Sequence, residues 1–504
     1  MSSLTQKVVG GLLWNFVGTA GNAVLQVATV AVLARLVEPR EFGMLAAAVI
    51  VINFSTIFTQ LGVVPAVVRH PALTPAHVQS ASTLSLLIGG AFAAVLGLCA
   101  PLVGDLFGLK EDGLPTILRV LSMLFVVQAF GAISEALLQR EFKFRQLALI
   151  DVASYAVGNG AVAIGLAARG FGVWALVAGQ LCQALIKTAL LCLARPHARG
   201  IRVHRASLAD LLNFGAGFTL AKLFNFAALQ GDKVVVARWL GAANLGSYSQ
   251  AYQFIVMPAN LFGAVLDRVL FPAMAAVQEQ PERLARAYER SIRMSLMVTA
   301  PISVAVCVLA PEIVSILLGA KWGDVVAPLQ ILATGLAFRT AYKMSDSLTR
   351  AKGAVYRRAW RQAVYAGVVI LGSLIGQCWG IAGVAWSVTI AIAINYLLMA
   401  QLSLTLVPLG LVAFVAAHRP AVVVALTCGI PVFEVAELLR GLGLDPIVIV
   451  ATVICSGALI LVVGFAFFPK VLLGEDANAW KTLLVNFRTR IGKTAAAGAR
   501  HDGR

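Results

Sequence analysis

The chain has 504 residues, 60% of them apolar and only 12% charged, with a mean hydropathy of +0.87 and a net charge of +17. Soluble globular proteins carry about 25% charged residues, whereas here the apolar residues arrive in blocks of about 20, the length that crosses ~30 Å of hydrocarbon as a helix. These figures exclude a soluble enzyme, a disordered chain and a secreted disulfide scaffold, and leave an all-α polytopic membrane protein.

In chain order, hydropathy predicts fourteen segments at about 9–34, 43–66, 82–104, 114–136, 147–168, 172–194, 209–230, 246–267, 294–318, 325–348, 361–379, 381–405, 419–437 and 446–469. The stretch after Lys7 is too long for a signal-peptide core and lacks a small-residue cleavage site, so it is expected to stay as the first span. Between segments 8 and 9, residues 275–293 read as a solvated linker helix, with Pro281 at the first helical position and Glu289/Arg293 spaced i,i+4. A turn around Gly376–Gly383 divides the last hairpin of the second half.

Basic residues set the orientation. With a cytoplasmic N-terminus, 28 of the 40 Lys and Arg fall on the inner side and nine at the outer side and outer helix ends, Lys233 and Arg238 among them. Both termini are then cytoplasmic, and the outer loops are too short to carry an external active site.

Sliding the chain by 203 residues superposes Ala34-Arg35 on Ala237-Arg238, Gly43 on Gly246 and Asn22 on Asn225. An offset of 210 superposes Leu138 and Arg140 on Leu348 and Arg350, and 211 superposes Gly165 and Gly172 on Gly376 and Gly383. The ordered matches and slowly rising offset indicate a duplication. Six spans per repeat keep both halves in one orientation, related by a pseudo-two-fold axis along the membrane normal. The organisation expected is an N-terminal six-helix bundle (1–200), a C-terminal one (206–405), two extra helices (406–470) and a basic cytoplasmic tail (471–504).

Ionisable groups at membrane depth point to function. Lys222 lies near the middle of segment 7; Arg339, Lys343 and Asp346 share one face of segment 10. Lys343 and Asp346 can neutralise each other or reach the inner interface. Lys222 and Arg339, deep and without a deep acid to match, suggest an anionic ligand. Segment 1 carries a polar stripe of Asn15, Thr19, Asn22 and Gln26, and segment 7 repeats it with Lys222 and Asn225. Such a stripe either bonds helix to helix or lines a wet cavity between the halves. Asp346, and Asp151 at the inner start of segment 5, are the acids placed to carry a coupling proton.

Several patterns argue against catalysis. Gly492-Lys493-Thr494 lacks the first glycine of a P-loop, and neither HExxH nor GxSxG occurs. The seven cysteines sit in or beside apolar segments, where Cys acts as a small hydrophobe, so neither a disulfide framework, a metal site nor a cofactor is expected. In the tail, Trp480, Leu483, Leu484, Phe487 and Ile491 share a helical face flanked by Lys481, Arg488 and Arg490, a pattern suited to anionic inner-leaflet lipid or to a disordered basic tail.

The stretches GGLLWNFVG…VLARLVEPREFGMLAAA, DKVVVARWLGAANLGSYSQAYQFIVMPAN and GAKWGDVVAPLQIL make residues 5–405 resemble bacterial polysaccharide-transport flippases, also labelled lipopolysaccharide biosynthesis proteins, of the multidrug/oligosaccharidyl-lipid/polysaccharide exporter superfamily. The resemblance implies two six-helix bundles around a V-shaped cavity in the bacterial inner membrane. It implies a rocker-switch cycle, driven by a proton or sodium gradient, that carries a polyprenyl-diphosphate-linked oligosaccharide from inner to outer leaflet. Polysaccharide polymerase and export machinery would be partners, and nucleic acid would not. Lys222 and Arg339 meet in kind the family's cavity cations for the diphosphate. A lipid II flippase shares the fold. A cationic-drug antiporter would want cavity acids rather than bases, and a membrane polymerase or ligase would want larger outer loops.

Overall fold

In hydrocarbon every backbone N–H and C=O must be satisfied within its own segment, so a chain this apolar folds as helices. The computed structural model describes residues 2–59, 64, 67–68, 73–196 and 216–467, and in them every regular element is helical. The first half comprises α1 (Ser2–Leu36), α2 (Pro39–Thr59), α3 (Pro75–Phe107), α4 (Leu114–Arg140), α5 (Phe144–Ala167) and α6 (Val173–Ala194). The second comprises α7 (Ala216–Val235), α8 (Gly241–Ala276), α9 (Pro281–Val308), α10 (Ala310–Leu317), α11 (Val326–Thr334), α12 (Leu336–Ala351), α13 (Val355–Gly376) and α14 (Gly380–Leu404). Then follow α15 (Leu411–Ala416), α16 (Arg419–Gly441) and α17 (Pro446–Phe467).

Among the described residues nine helical stretches are long and apolar enough to cross a membrane, ten if the pair Ala320–Thr334 and Leu336–Ala351, bent by 42°, is one crossing. One stretch, Tyr356–Leu404, has 49 residues, which as a straight helix would run roughly 70 Å. It is instead the α13–α14 hairpin. Gly380 turns it at φ +68°, and Gly376 and Gly383 pack so closely that a Cβ on either would strike the other's backbone. The sequence places its turn at the same glycines.

The linker helix does not stand apart in solvent. Residues 281–308 form one continuous helix, α9, with Pro281 in its first turn as expected. Leu284, Tyr288 and Ile292 are buried, and the Tyr288 hydroxyl lies 2.7 Å from the Ser345 Oγ on α12. The reason is a periodic apolar face that the sequence reading overlooked beside the charged one. At the other end of α9, Arg440 of α16 binds both Glu312 oxygens at 2.7 and 2.8 Å and the Val308 carbonyl at 2.7 Å, which pins the extra helices to the second half.

The two halves use matching helix pairs: α1 packs on α5 and α7 on α13, while α5–α6 and α13–α14 are the closing pairs. Between the halves, α2 crosses α8. A Cβ on Gly43 would run into the Ala242 carbonyl, and one on Gly246 into the Pro39 carbonyl. Gly43 and Gly246, and Pro39 and Ala242, are each 203 residues apart, so the two close approaches pair equivalent positions of the sequence repeat. The same end carries a second such pair. Arg35 lies against Gly319 and donates to the Ile316 carbonyl at 2.9 Å, and Arg238 lies over Gly108. Trp322 closes this end by donating from Nε1 to the Ala34 carbonyl at 2.8 Å.

Candidate functional site

Between the halves lies a cavity of about 770 Å³, within the usual 300–1,000 Å³ of ligand sites. One wall comes from α1, α2, α5 and α6, the other from α7, α8, α12, α13 and α14. Leu33, Phe42 and Leu45 are among its apolar lining, and polar side chains are interspersed on both walls.

The charged part of the site is built where α7 meets α8 and α12. Asp232, in the last turn of α7, is 1% exposed, and the Tyr248 hydroxyl donates to its Oδ2 at 2.7 Å. Next to it, Lys233 lines the cavity with its Nζ 4.5 Å from the centroid of the Tyr252 ring. Arg339 of α12 approaches the same ring, its Cζ 4.8 Å from the centroid, and donates to the Tyr252 hydroxyl at 2.6 Å. Tyr252 thus serves two cations through its π face and one of them through its oxygen. Lys343, one turn along α12, donates to the Ala259 carbonyl of α8 at 2.9 Å. A π-helical turn, Val236–Leu240, follows the Asp232-Lys233 pair directly, an irregularity frequent at functional sites. Three cations and one buried carboxylate leave this corner electropositive. It can hold an anion.

Of the residues singled out from sequence, Arg339, Lys343, Asn225 and Gln26 line the cavity. Asn22 is half-buried and its Oδ1 has no hydrogen-bond partner among the described residues, but it is not part of the lining. The side chains of Asn15 and Lys222 lie outside the described residues, as does the whole amphipathic tail after Phe467. Asp346 is bound by Arg350 at 3.2 Å and by Arg358, and Asp151 by Lys187 at 2.9 Å. Neither acid lines the cavity.

One expectation needs correction: a buried acid, Asp232, does lie beside the cavity cations, because α7 runs to Val235 rather than ending near 230. Two charges side by side depress local hydropathy and end a span early when hydropathy alone sets its boundary. The repeat offered the missing signal, because at offset 203 Asp232 and Lys233 fall on Thr29 and Val30, well inside segment 1. Sequence reasoning also passed over Asn159, Gln180 and Gln183, which line the opposite wall.

This arrangement is that of a multi-pass membrane transporter, and the fold is shared with a solved structure titled lipid II flippase MurJ, inward closed conformation. That match has a TM-score of 0.72 at 15% identity, covering 92% of this chain and 100% of that one. The chain belongs to the polysaccharide biosynthesis protein family, whose pattern matches residues 32–327. Relatives include the lipopolysaccharide biosynthesis protein WzxC of Escherichia coli (strain K12), 24% identical over 402 residues, 79% of this chain and 80% of that protein. The succinoglycan biosynthesis transport protein ExoT of Rhizobium meliloti (strain 1021) is 29% identical over 322 residues, 64% of each chain.

Proposed function

We propose that this protein is a flippase that moves polyprenyl-diphosphate-linked oligosaccharide repeat units across the bacterial cytoplasmic membrane for exopolysaccharide, capsule or O-antigen assembly. The observation that carries the reading is the cationic corner of the cavity, Lys233, Arg339 and Lys343, in a chain whose relatives are named for polysaccharide biosynthesis and transport. A diphosphate is the anionic group that such a lipid carrier presents, and Arg grips it through a planar fork of donors. The same sign of charge disfavours a cationic-drug antiporter. The lipid II flippase shares the fold, and likeness of fold does not select the sugar.

In this reading fourteen crossings form two six-helix bundles plus two extra helices, with both termini in the cytoplasm. The halves alternate access by rocking about the α2–α8 contact, coupled to a proton or sodium gradient. Asp232 is better placed than Asp346 or Asp151 to take part in coupling, because the charges of the cavity-lining Lys233 and Arg339 act on it while the other two are held in ion pairs by arginines and a lysine outside the lining. Asn22, Asn225, Asn15 and Gln26 remain assigned to substrate contacts or to packing between the halves, and Lys222 to the diphosphate.

Proteoliposomes loaded with a polyprenyl-diphosphate-linked oligosaccharide test the reading. Wild type should translocate it. Arg339→Gln should lose about ten- to a hundred-fold in substrate binding, the range of a charge-assisted hydrogen bond of about 1.5–3 kcal/mol. Arg339→Lys should retain part of the transport. Full transport by Arg339→Gln would overturn the cationic site.

A further inference from the structure

The two cavity walls differ in charge, and the duplication makes the difference legible position by position. Among the described residues all the Lys and Arg of the lining come from the second half: Lys233, Arg339 and Lys343. Under the repeat offsets their counterparts in the first half are Val30, Ala129 and Ile133. Carboxamides line both walls, Gln26, Asn53, Asn159, Gln180 and Gln183 on the first half and Asn225, Gln230, Gln250, Gln253, Gln362 and Asn395 on the second, so the first-half wall is polar without carrying charge. The second-half counterparts of Gln26, Asn53 and Gln180 are Leu229, Val256 and Ala391. The two walls therefore differ in charge rather than in their supply of carboxamides.

These amides are not consumed by internal bonding. Gln26, Asn53 and Gln180 have no side-chain hydrogen-bond partner among the described residues, and they face a cavity rather than a helix interface. Asn159 donates from Nδ2 to the Gln183 Oε1 at 2.5 Å, which leaves the Asn159 Oδ1 and the Gln183 Nε2 to serve other groups. Their pairing is fixed by backbone: Gly158 packs so tightly on Gln183 that a Cβ would collide, and Asn159 itself lies in the π-helical stretch Ala156–Ala163 of α5. A π-helical insertion shifts the residues beyond it around the helix axis, here with Asn159 in the cavity wall. Tyr155, one turn earlier, also lines the cavity, and its hydroxyl bonds to Thr29.

We infer that the first-half wall is the sugar subsite of the cavity, an uncharged array of carboxamides on α1, α2, α5 and α6 that reads hydroxyl groups while the second half holds the diphosphate. This rests on the flippase reading and adds where the glycan lies and which residues choose it. A carboxamide offers donor and acceptor together, which matches vicinal hydroxyls, and without charge it draws no phosphate away from the cationic corner. Placing the two functions on separate halves also ties both halves to one substrate molecule, so that rocking of the halves moves the whole head group.

The test measures binding to the purified full-length protein in nanodiscs with two probes: undecaprenyl diphosphate, and the lipid-linked oligosaccharide fraction extracted from the host cell. Gln26→Leu and Gln180→Leu are the informative variants, since neither removes an internal hydrogen bond to a described residue. Each should weaken the oligosaccharide-linked probe about three- to tenfold, the yield of one or two neutral hydrogen bonds, and leave undecaprenyl diphosphate within about twofold. Retained binding of the bare diphosphate reports that the variant is folded. Arg339→Gln should weaken both probes. Equal losses on the two probes for the Gln variants, or no loss on either, would overturn the sugar subsite while leaving the flippase reading standing. If wild-type protein binds neither probe, it is the flippase reading that fails, and this inference with it.

Discussion

A carboxylate as deeply buried as Asp232 is costly unless it is paired; here Tyr248 donates to one oxygen, the other has no hydrogen-bond partner among the described residues, and Lys233 and Arg339 lie near enough to attract the charge. Its charge also competes with any anionic ligand for those same two cations. Asp232→Asn keeps the oxygen that Tyr248 needs and removes the competitor. The variant should therefore bind farnesyl diphosphate more tightly than wild type, while its transport of lipid-linked oligosaccharide falls, because release loses its internal counter-charge. Calorimetry on the purified protein and a proteoliposome flux assay check the two halves of this statement. Weaker diphosphate binding together with normal flux would contradict it. Arg339 stood out in the sequence because it lies midway along segment 10 on one face with Lys343 and Asp346; Asp232 did not, because hydropathy ended segment 7 near 230, before the Asp232-Lys233 pair.

Elements end where pairing of the backbone ends, and charged residues mark only some of those points. The turn between α4 and α5 is one that charge does mark. Glu141 there accepts from Lys143 Nζ and from Arg195 Nε at the end of α6, both at 2.7 Å. The Lys143 contact is the largest influence and, with Arg195 added to it, holds the Glu141 carboxyl below its ordinary value although partial burial, the next largest effect, opposes them. A lowered folded-state pKa means stability that is present above the unfolded carboxylate value and disappears as pH falls through the folded one. With Glu141 30% exposed, the contribution is below about 1 kcal/mol. Thermal unfolding of Glu141→Gln against wild type should show a small Tm deficit at neutral pH that closes in acid. A deficit that grows in acid would reverse the sign and refute the pairing.

At the scale of the molecule, the contacts at one end of the bundle join the halves and are expected to hold that end closed. Arg35 reaches across to Ile316 and Gly319, and Arg238 to Gly108. Opening that end requires both to break. In a chain with its seven cysteines replaced by alanine, a thiol introduced at Ala46, which lines the cavity, should be shielded from an impermeant maleimide added outside. Arg35→Ala combined with Arg238→Ala should raise labelling from outside, since the lost charge-assisted bond of Arg35 shifts the balance by about 1.5–3 kcal/mol toward the open end and the loss of Arg238 removes its packing over Gly108. Unchanged labelling would mean that these arginines do not hold the end closed.

Helical class, the multi-pass membrane character and the placing of Arg339 and Lys343 on one helix face, where both line the cavity, follow from the sequence alone. They depend on hydropathy, on period and on register, which are properties of residues taken along the chain. Even the hairpin at Gly380 follows from its glycines. The tertiary structure alone decided which polar groups share a cavity. Asp346 and Asp151 had the composition of coupling acids, yet Arg358 and Lys187, distant in sequence, claim them. Asp232 came near Arg339 only through the packing of α7, α8 and α12 within the second half, and the amides of α5 and α6 came to face them only once the two halves packed together at Gly43 and Gly246. Whether a buried polar side chain bonds a neighbour or faces a ligand depends on contacts across separate helices, and no pattern along a single helix specifies those.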